Sequence, residues 1–399
     1  MTAPATESRA WTGAFAGLCA AVLLTFTAFG AAVPVLPRLI TTELDGGPLV
    51  VGAAFGISAV AALLSRPYVG RLAQRGDVRT VIAAGAATAA LVGAGYAGAA
   101  ALGGTAGTGS LLVLRVIMGV AEAATFTAGS LWVVSLAPED RRGQLVGWYG
   151  LSMWGGWTLG PLIGETLRRE SGYGAVWLFH IMLPLLAVPL ALRLPAPDLG
   201  GGGVSRSLIP RPVLLPGTAL ALAAVGYAAL AGFVVLHLEE RGVGGGPLAL
   251  TLFGAAYIVV RLLCGRLPDR AGAARIAVAA GLVEAAGLAL IAAATTPWAA
   301  GLGAAVMGAG FTLLYPSLAL LVINRSDASE RGAALGAFTS FWDLGLGAAG
   351  LLTGAIATGL GYPAVFAAAA LTALAAALTG HLAGRPAPHP AHDHPSTAT

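Results

Sequence analysis

Two stretches decide the fold of this chain. Residues 66–76 read Arg66-Pro67-Tyr68-Val69-Gly70-Arg71-Leu72-Ala73-Gln74-Arg75-Gly76, and 195 residues later 261–270 read Arg261-Leu262-Leu263-Cys264-Gly265-Arg266-Leu267-Pro268-Asp269-Arg270. Each begins with an arginine near the end of an apolar run and continues with Gly-Arg and, four residues on, a second arginine. The correspondence continues at an offset of 189: Met118-Gly119 returns as Met307-Gly308, Arg142-Gly143 as Arg331-Gly332, and Gly147 and Gly156 as Gly336 and Gly345. Several matches in one order mark an internal duplication. A duplicated set of membrane helices is the pattern of transporters that rock one half against the other around a central site.

The composition around these stretches demands a bilayer. Of 399 residues, 57% are apolar and 10% charged, with a mean hydropathy of +0.82. A water-soluble domain must cover its outside with polar residues, and this chain has too few. Windows of about 20 apolar residues predict twelve spans, at 12–37, 48–66, 79–102, 110–136, 143–166, 173–194, 214–237, 246–264, 273–294, 297–323, 332–357 and 362–384. The first run is too long for a signal peptide and reads as span one. The fold class is therefore all-α and polytopic, with two six-helix bundles at 1–194 and 214–384. A cytoplasmic linker at 195–213, with glycines at Gly200–Gly203, separates them, and 385–399 forms a disordered cytoplasmic tail.

All 22 basic residues are arginine. With the N-terminus inside, fifteen arginines fall on the side of the termini, four on the other (Arg38, Arg168, Arg169 and Arg241) and three within spans (Arg66, Arg115 and Arg261). That asymmetry places both termini in the cytoplasm of a multi-pass inner-membrane protein. The net charge of +4 is spread between apolar runs, so nucleic acid is not a partner. Cys19 and Cys264 lie in separate spans, which excludes a disulfide framework and a cysteine metal cluster. His389, His392 and His394 read as a solvated tail rather than metal ligands, and no cofactor is expected.

Ionisable residues inside spans are costly and mark function. Asp343 is the only charge in span eleven, Glu122 stands two turns from Arg115 in span four, and Glu284 sits in span nine. They rank in that order as proton carriers. His180 in span six reads as a hydrogen-bonded packing residue. Span five spaces Gly147, Gly156, Gly160-Pro161 and Gly164 so that another helix can approach closely, and Pro161 removes a backbone donor and bends the helix.

These residues resemble the major facilitator superfamily over nearly the whole chain. The loop after span eight matches the family's Gly-x-x-x-Asp-Arg-x-Gly signature at Gly265, Asp269, Arg270 and Gly272; the loop after span two keeps Gly70, Arg71 and Arg75 but has Gln74 in the acidic position, for which Asp77 is a substitute. Leu111, Arg115, Met118 and Gly119 resemble the family's second motif, with Met118 for Gln, and the resemblance links Arg115 to proton coupling. The span-five glycines are similar to the antiporter motif of drug–proton exporters, with Glu165 replacing its last glycine. Ser65-Arg66-Pro67 and the run from Phe341 to Gly347 resemble one bacterial exporter branch. By the same resemblance spans one and seven line a cavity, with Pro34 and Pro37 kinking span one. Trp154, Tyr227, Phe233, Tyr257, Tyr315 and Trp342 are the aromatic candidates for that cavity.

The resemblance implies a secondary active transporter, acting as a monomer, that exports small amphipathic compounds such as drugs or secondary metabolites in exchange for protons. A proton-coupled uptake symporter is the alternative. A membrane enzyme is remote, because no cluster of His, Asp or Ser gathers at a membrane face.

Overall fold

The computed structural model describes residues 5–137, 141–196, 211–327 and 330–385. Among them it places thirteen helices: α1 (Ala5–Ala32), α2 (Val35–Thr42), α3 (Pro48–Arg75), α4 (Val78–Leu102), α5 (Gly104–Leu136), α6 (Arg142–Leu192), α7 (Arg211–Glu240), α8 (Gly246–Cys264), α9 (Leu267–Ala271), α10 (Ala273–Ala293), α11 (Pro297–Arg325), α12 (Arg331–Leu360) and α13 (Tyr362–Gly384). Eleven apolar segments are long enough to cross a bilayer. The 51-residue α6 holds two of the predicted spans, broken at Gly172 (φ +79°), so the chain crosses twelve times. The linker and tail expectations fall largely on 197–210 and 386–399, outside the described residues.

Several helix ends differ from the hydropathy reading, each for a local reason. The first span is two helices, because the ring of Pro34 ends α1 and restarts the chain as α2. Span two continues past Arg66 and Pro67 to Arg75, since hydropathy marks where lipid ends and not where hydrogen bonding ends. Its counterpart α8 stops at Cys264, and the chain resumes as the short α9 around Pro268. At the face away from the termini, the turns at Gly103–Gly104, Gly172 and Gly361 all take positive φ (between +49° and +81°), which glycine adopts without the Cβ penalty.

The duplication predicted from sequence is visible in the packing. A Cβ on Gly119 would lie 2.1 Å from the Ser58 carbonyl of α3, and one on Gly308 would lie 2.2 Å from the Phe253 carbonyl of α8. A Cβ on Gly156 would meet Phe26 of α1 at 2.6 Å, and one on Gly345 would meet Ala221 of α7 at 2.5 Å. Residues 189 positions apart thus hold equivalent helix pairs together, which makes α1–α6 and α7–α13 two bundles of the same build. With no hydrophobic drive between helices in lipid, such backbone-to-backbone contact through small residues is what fastens them.

The bundles meet along two seams. Gly52 and Gly56 of α3 press on Gly347, Gly350 and Gly354 of α12, with a Cβ on Gly52 only 2.1 Å from the Gly350 carbonyl. The first arm of α6 meets α8 at Thr158 and Gly254, where a Cβ on Gly254 would lie 2.2 Å from Thr158 Oγ1. Both seams lie toward the face away from the termini. Nearer the terminal face a Cβ on Gly70, Gly147 or Gly336 meets nothing within 4 Å. The contacts between the halves run from the face away from the termini past mid-membrane to Arg66 of α3 and Asp343 of α12, and the bare glycines lie beyond them.

Candidate functional site

The space between the bundles is bounded by three layers. The layer at the face away from the termini is ionic. Arg38, carried by α2, is 8% exposed and contacts Glu165 of α6 in its own half and Glu239 of α7 in the other, both at very short range. Glu165 also accepts from Arg168 at 3.0 Å and from Arg169 at 2.6 Å. One carboxylate thus gathers three of the four arginines predicted for this side, and Arg38 hands the network across to the second half. Glu165 stands where the glycine motif departs from its usual pattern. Its position in the sequence does not show that role, because Arg38 lies 127 residues away along the chain.

The middle layer is aromatic. Trp154 of α6 stacks on Tyr257 of α8, with centroids 4.1 Å apart and planes 25° apart. Tyr227 of α7 lies 5.7 Å from Trp154, and Phe311 of α11 lies 5.4 Å from Trp342 of α12. Phe253 of α8, not anticipated from sequence, completes the box at 5.7 Å from Phe311. Trp154, Tyr227, Tyr257 and Trp342 therefore come together in one cluster. Phe233 does not join them: it is buried in the second bundle against Tyr362 of α13, 6.0 Å away. Tyr315 sits apart as well, hydrogen-bonded to Thr339 at 2.9 Å and 39% exposed.

The third layer carries the intramembrane charges. Arg66 of α3 pairs with Asp343 of α12 across the two halves, Nε to Oδ2 at 2.7 Å, and Nη2 donates to Oδ1 at 3.1 Å. Arg66 Nη1 also reaches Thr127 Oγ1 of α5 at 3.4 Å. Glu122 is half-buried on α5, and Arg66, Asp343 and Arg115 are the charges that act on it. Trp342, adjacent to Asp343 on α12, lies 5.8 Å from Tyr227 and ties the charged layer to the aromatic box. Asp343 lies 189 residues after Trp154, so the duplicated position holds a carboxylate in one half and an indole in the other. The Arg66–Asp343 pair and the Trp154–Tyr257 stack are the two pseudo-equivalent bridges between bundles.

Other predicted residues lie elsewhere. Arg115 donates to the Ala54 carbonyl of α3 at 2.8 Å and to Tyr96 of α4 at 3.3 Å, beneath the Phe55 ring. It pins three helices of the first bundle and pairs with no carboxylate among the described residues. Glu284 is fully buried inside the second bundle, where a Cβ on Gly226 would meet its Oε1 at 2.5 Å. That position separates it from the interface. His180 packs between Phe29 and Tyr96, with the Ala28 backbone of α1 as its hydrogen-bonding neighbour. Arg261 is half-buried on α8 one turn from Tyr257, without an ion pair among the described residues.

In the antiporter-like motif, Gly156, Gly160 and Gly164 all receive α1, with a Cβ on Gly160 2.5 Å from Gly30 and one on Gly164 2.1 Å from Ala31. Gly30 lies against Pro161. At the terminal face, Arg71 covers the Tyr68 ring at 4.7 Å, and Arg75 ends α3. Asp269 and Arg270 form α9 after Gly265. Asp77 caps α4 through the Arg79 amide at 3.0 Å and pairs with the Arg79 side chain, which holds its carboxyl below the usual carboxylate range. It is thus engaged within its own half.

The Major Facilitator Superfamily model matches residues 18–248 and again 217–398. An uncharacterised MFS-type transporter of Salmonella typhimurium (strain LT2) is 34% identical over 381 residues, covering 92% of this chain and 95% of the relative. The uncharacterised MFS-type transporter YhhS of Escherichia coli (strain K12) is 33% identical over 370 residues, covering 91% of each. Among solved structures, a mutant of the nucleoside transporter NupG superposes with a TM-score of 0.77 at 14% identity, covering 93% of this chain and 100% of that one. The D-xylose–proton symporter superposes with a TM-score of 0.74 at 15% identity, covering 92% and 96%. Those two likenesses speak for the fold alone.

Proposed function

The chain belongs to the major facilitator superfamily, and is thus a secondary transporter and not an enzyme; from that premise we propose that it exports small amphipathic compounds, drugs or secondary metabolites, in exchange for protons. The observation that carries the reading is the ion pair between Arg66 and Asp343, which joins the two halves inside the membrane. Asp343 holds Arg66 only while it is ionised. A proton on Asp343 removes that attraction, so the protonated and deprotonated carriers favour different placements of α3 against α12. Glu122 lies in the field of the same pair and is the second proton site. Arg115 positions α3, α4 and α5 around them.

In this reading Arg38, Glu165 and Glu239 shut the site at the face away from the termini, and the terminal face, where Gly70, Gly147 and Gly336 are bare, is the side that opens. With the termini in the cytoplasm of the inner membrane, as the arginine asymmetry argues, this is the state that admits substrate from inside. The aromatic box supplies apolar and π surface with few fixed charges, which suits an amphipathic guest. Closing α3 and α6 against α12 and α8 at the terminal face, where Gly70, Gly147 and Gly336 are bare, and opening the glycine seam would release it outside. The carrier acts as a monomer, because the site is complete within one chain.

Everted vesicles test the reading. Amphipathic test compounds should accumulate when an inward-acid proton gradient is imposed, and Asp343→Asn should abolish the gradient dependence. Accumulation at the same rate without a gradient, or gradient-driven movement in the opposite direction, overturns export by proton exchange.

A further inference from the structure

A second site stands apart from the central one. A cavity of about 450 Å³ opens between α10 and α13 at the terminal face, lined by Ala274, Arg275, Val278, His381, Gly384 and Arg385. Arg275, His381 and Arg385 are exposed. Among the described residues no carboxylate lines the cavity, and none of the ion pairs engages these three side chains. Arg325 of α11 donates to the Arg385 carbonyl and fastens the end of α13 in place.

The two helices that form the cavity carry matching stripes. On α10, Arg275, Val278 and Leu282 are three and four residues apart; on α13, Leu374, Leu378, His381 and Arg385 follow the same rule. Residues so spaced share one helix face. Leu282 is 50% exposed, Leu374 44% and Leu378 61%. Both stripes are thus apolar where they run into the membrane and cationic where they leave it. That is the shape and charge order of one phospholipid, acyl chains on the leucines and phosphate among the arginines. Basic pockets between membrane helices at a membrane surface suit anionic headgroups.

We propose that the groove between α10 and α13 binds one anionic phospholipid of the bilayer, its phosphate held by Arg275 and Arg385 with His381 beside it. The site is independent of the transported substrate, since α10 and α13 form the outer wall of the second bundle. Lipid bound there ties α10, α11 and α13 together at the terminal face.

Native mass spectrometry of the purified full chain, with phosphatidylglycerol or phosphatidylcholine added, tests this. The wild type is expected to retain one phosphatidylglycerol in preference to phosphatidylcholine. Arg275→Gln/Arg385→Gln should bind it about thirty-fold more weakly, from two lost surface charges. Arg193→Gln/Arg211→Gln, which removes the same charge elsewhere on that face, should bind as the wild type does. Equal retention of the two lipids by the wild type, or equal weakening in both double variants, overturns the site. Displacement of the lipid by millimolar inorganic phosphate would assign the pocket to a free anion and overturn the lipid reading. The wild-type selectivity stands as a test even if the first double variant fails to fold.

Discussion

Gly52→Ala places a methyl group where α3 and α12 have no room for one. The Cβ would lie 2.1 Å from the Gly350 carbonyl and 2.9 Å from the Gly354 Cα, while ordinary contact begins at 3.4 Å. The neighbours are backbone and cannot turn aside, so the helices must separate by about 1.3 Å at that point, the difference between 3.4 Å and 2.1 Å. Overpacking of this kind costs about 1–3 kcal/mol. The strain falls on the state in which the seam is closed and is relieved when it opens. The ratio of open to closed at that face should therefore rise roughly 5- to 150-fold. Spin labels at Glu43→Cys and Glu240→Cys, exposed on that face and one on each half, report the change as a longer-distance population in double electron–electron resonance. Cys19→Ser and Cys264→Ser supply the background. Gly98→Ala, whose Cβ meets nothing within 4 Å, should leave the distances unchanged. A properly folded Gly52→Ala protein with the wild-type distance distribution would refute the claim that this seam closes the transporter.

Asp343→Asn strips Arg66, whose side chain is 21% exposed, of its carboxylate, and should cost less than the roughly 3–5 kcal/mol of a fully buried pair broken on one side; Arg66→Gln/Asp343→Asn should recover much of that loss in thermal unfolding, and additive losses would deny the pair. Glu122→Gln is expected to end gradient-driven transport while retaining substrate exchange without a gradient, as measured in proteoliposomes. Glu284→Gln, away from the interface, should keep gradient-driven transport, and its failure to do so would move proton coupling into the second bundle. Gly160→Leu should block folding of the first bundle, because even a Cβ there meets Gly30 backbone at 2.5 Å; normal expression and transport would show that α1 and α6 are not held at that contact.

Much of the fold was legible because membrane spans are written locally. Each needs its own run of apolar residues, and the duplication repeats glycines at fixed offsets, so Gly119 and Gly308 could be paired before their contacts were known. Asp343, Glu122 and Arg66 stood out for the same reason, since charge inside an apolar run is visible without any partner. What stayed hidden was set by distance along the chain. Arg38 meets Glu165 127 residues away and Glu239 201 residues away, and near a loop such charges look like ordinary polar ends. Phe253 and Phe233 are both rings in apolar helices, and only the rotation of α8 and α7 about their axes puts the first in the box and the second against Tyr362. Arg115 shows the converse. Its charge drew attention from the sequence, yet the Ala54 carbonyl and the Tyr96 hydroxyl occupy it.

Alternating access around the charged layer is tested most directly by a thiol placed inside it. Thr127→Cys in the cysteine-free background puts a small reporter beside Arg66, reachable only through whichever face is open. With a membrane-impermeant thiol reagent, it should react from the terminal face in resting membranes and from the opposite face when substrate and a proton gradient drive turnover, with each face excluded while the other is open. Reaction from both faces at once, or from one face alone under every condition, would contradict two bundles that open in turn.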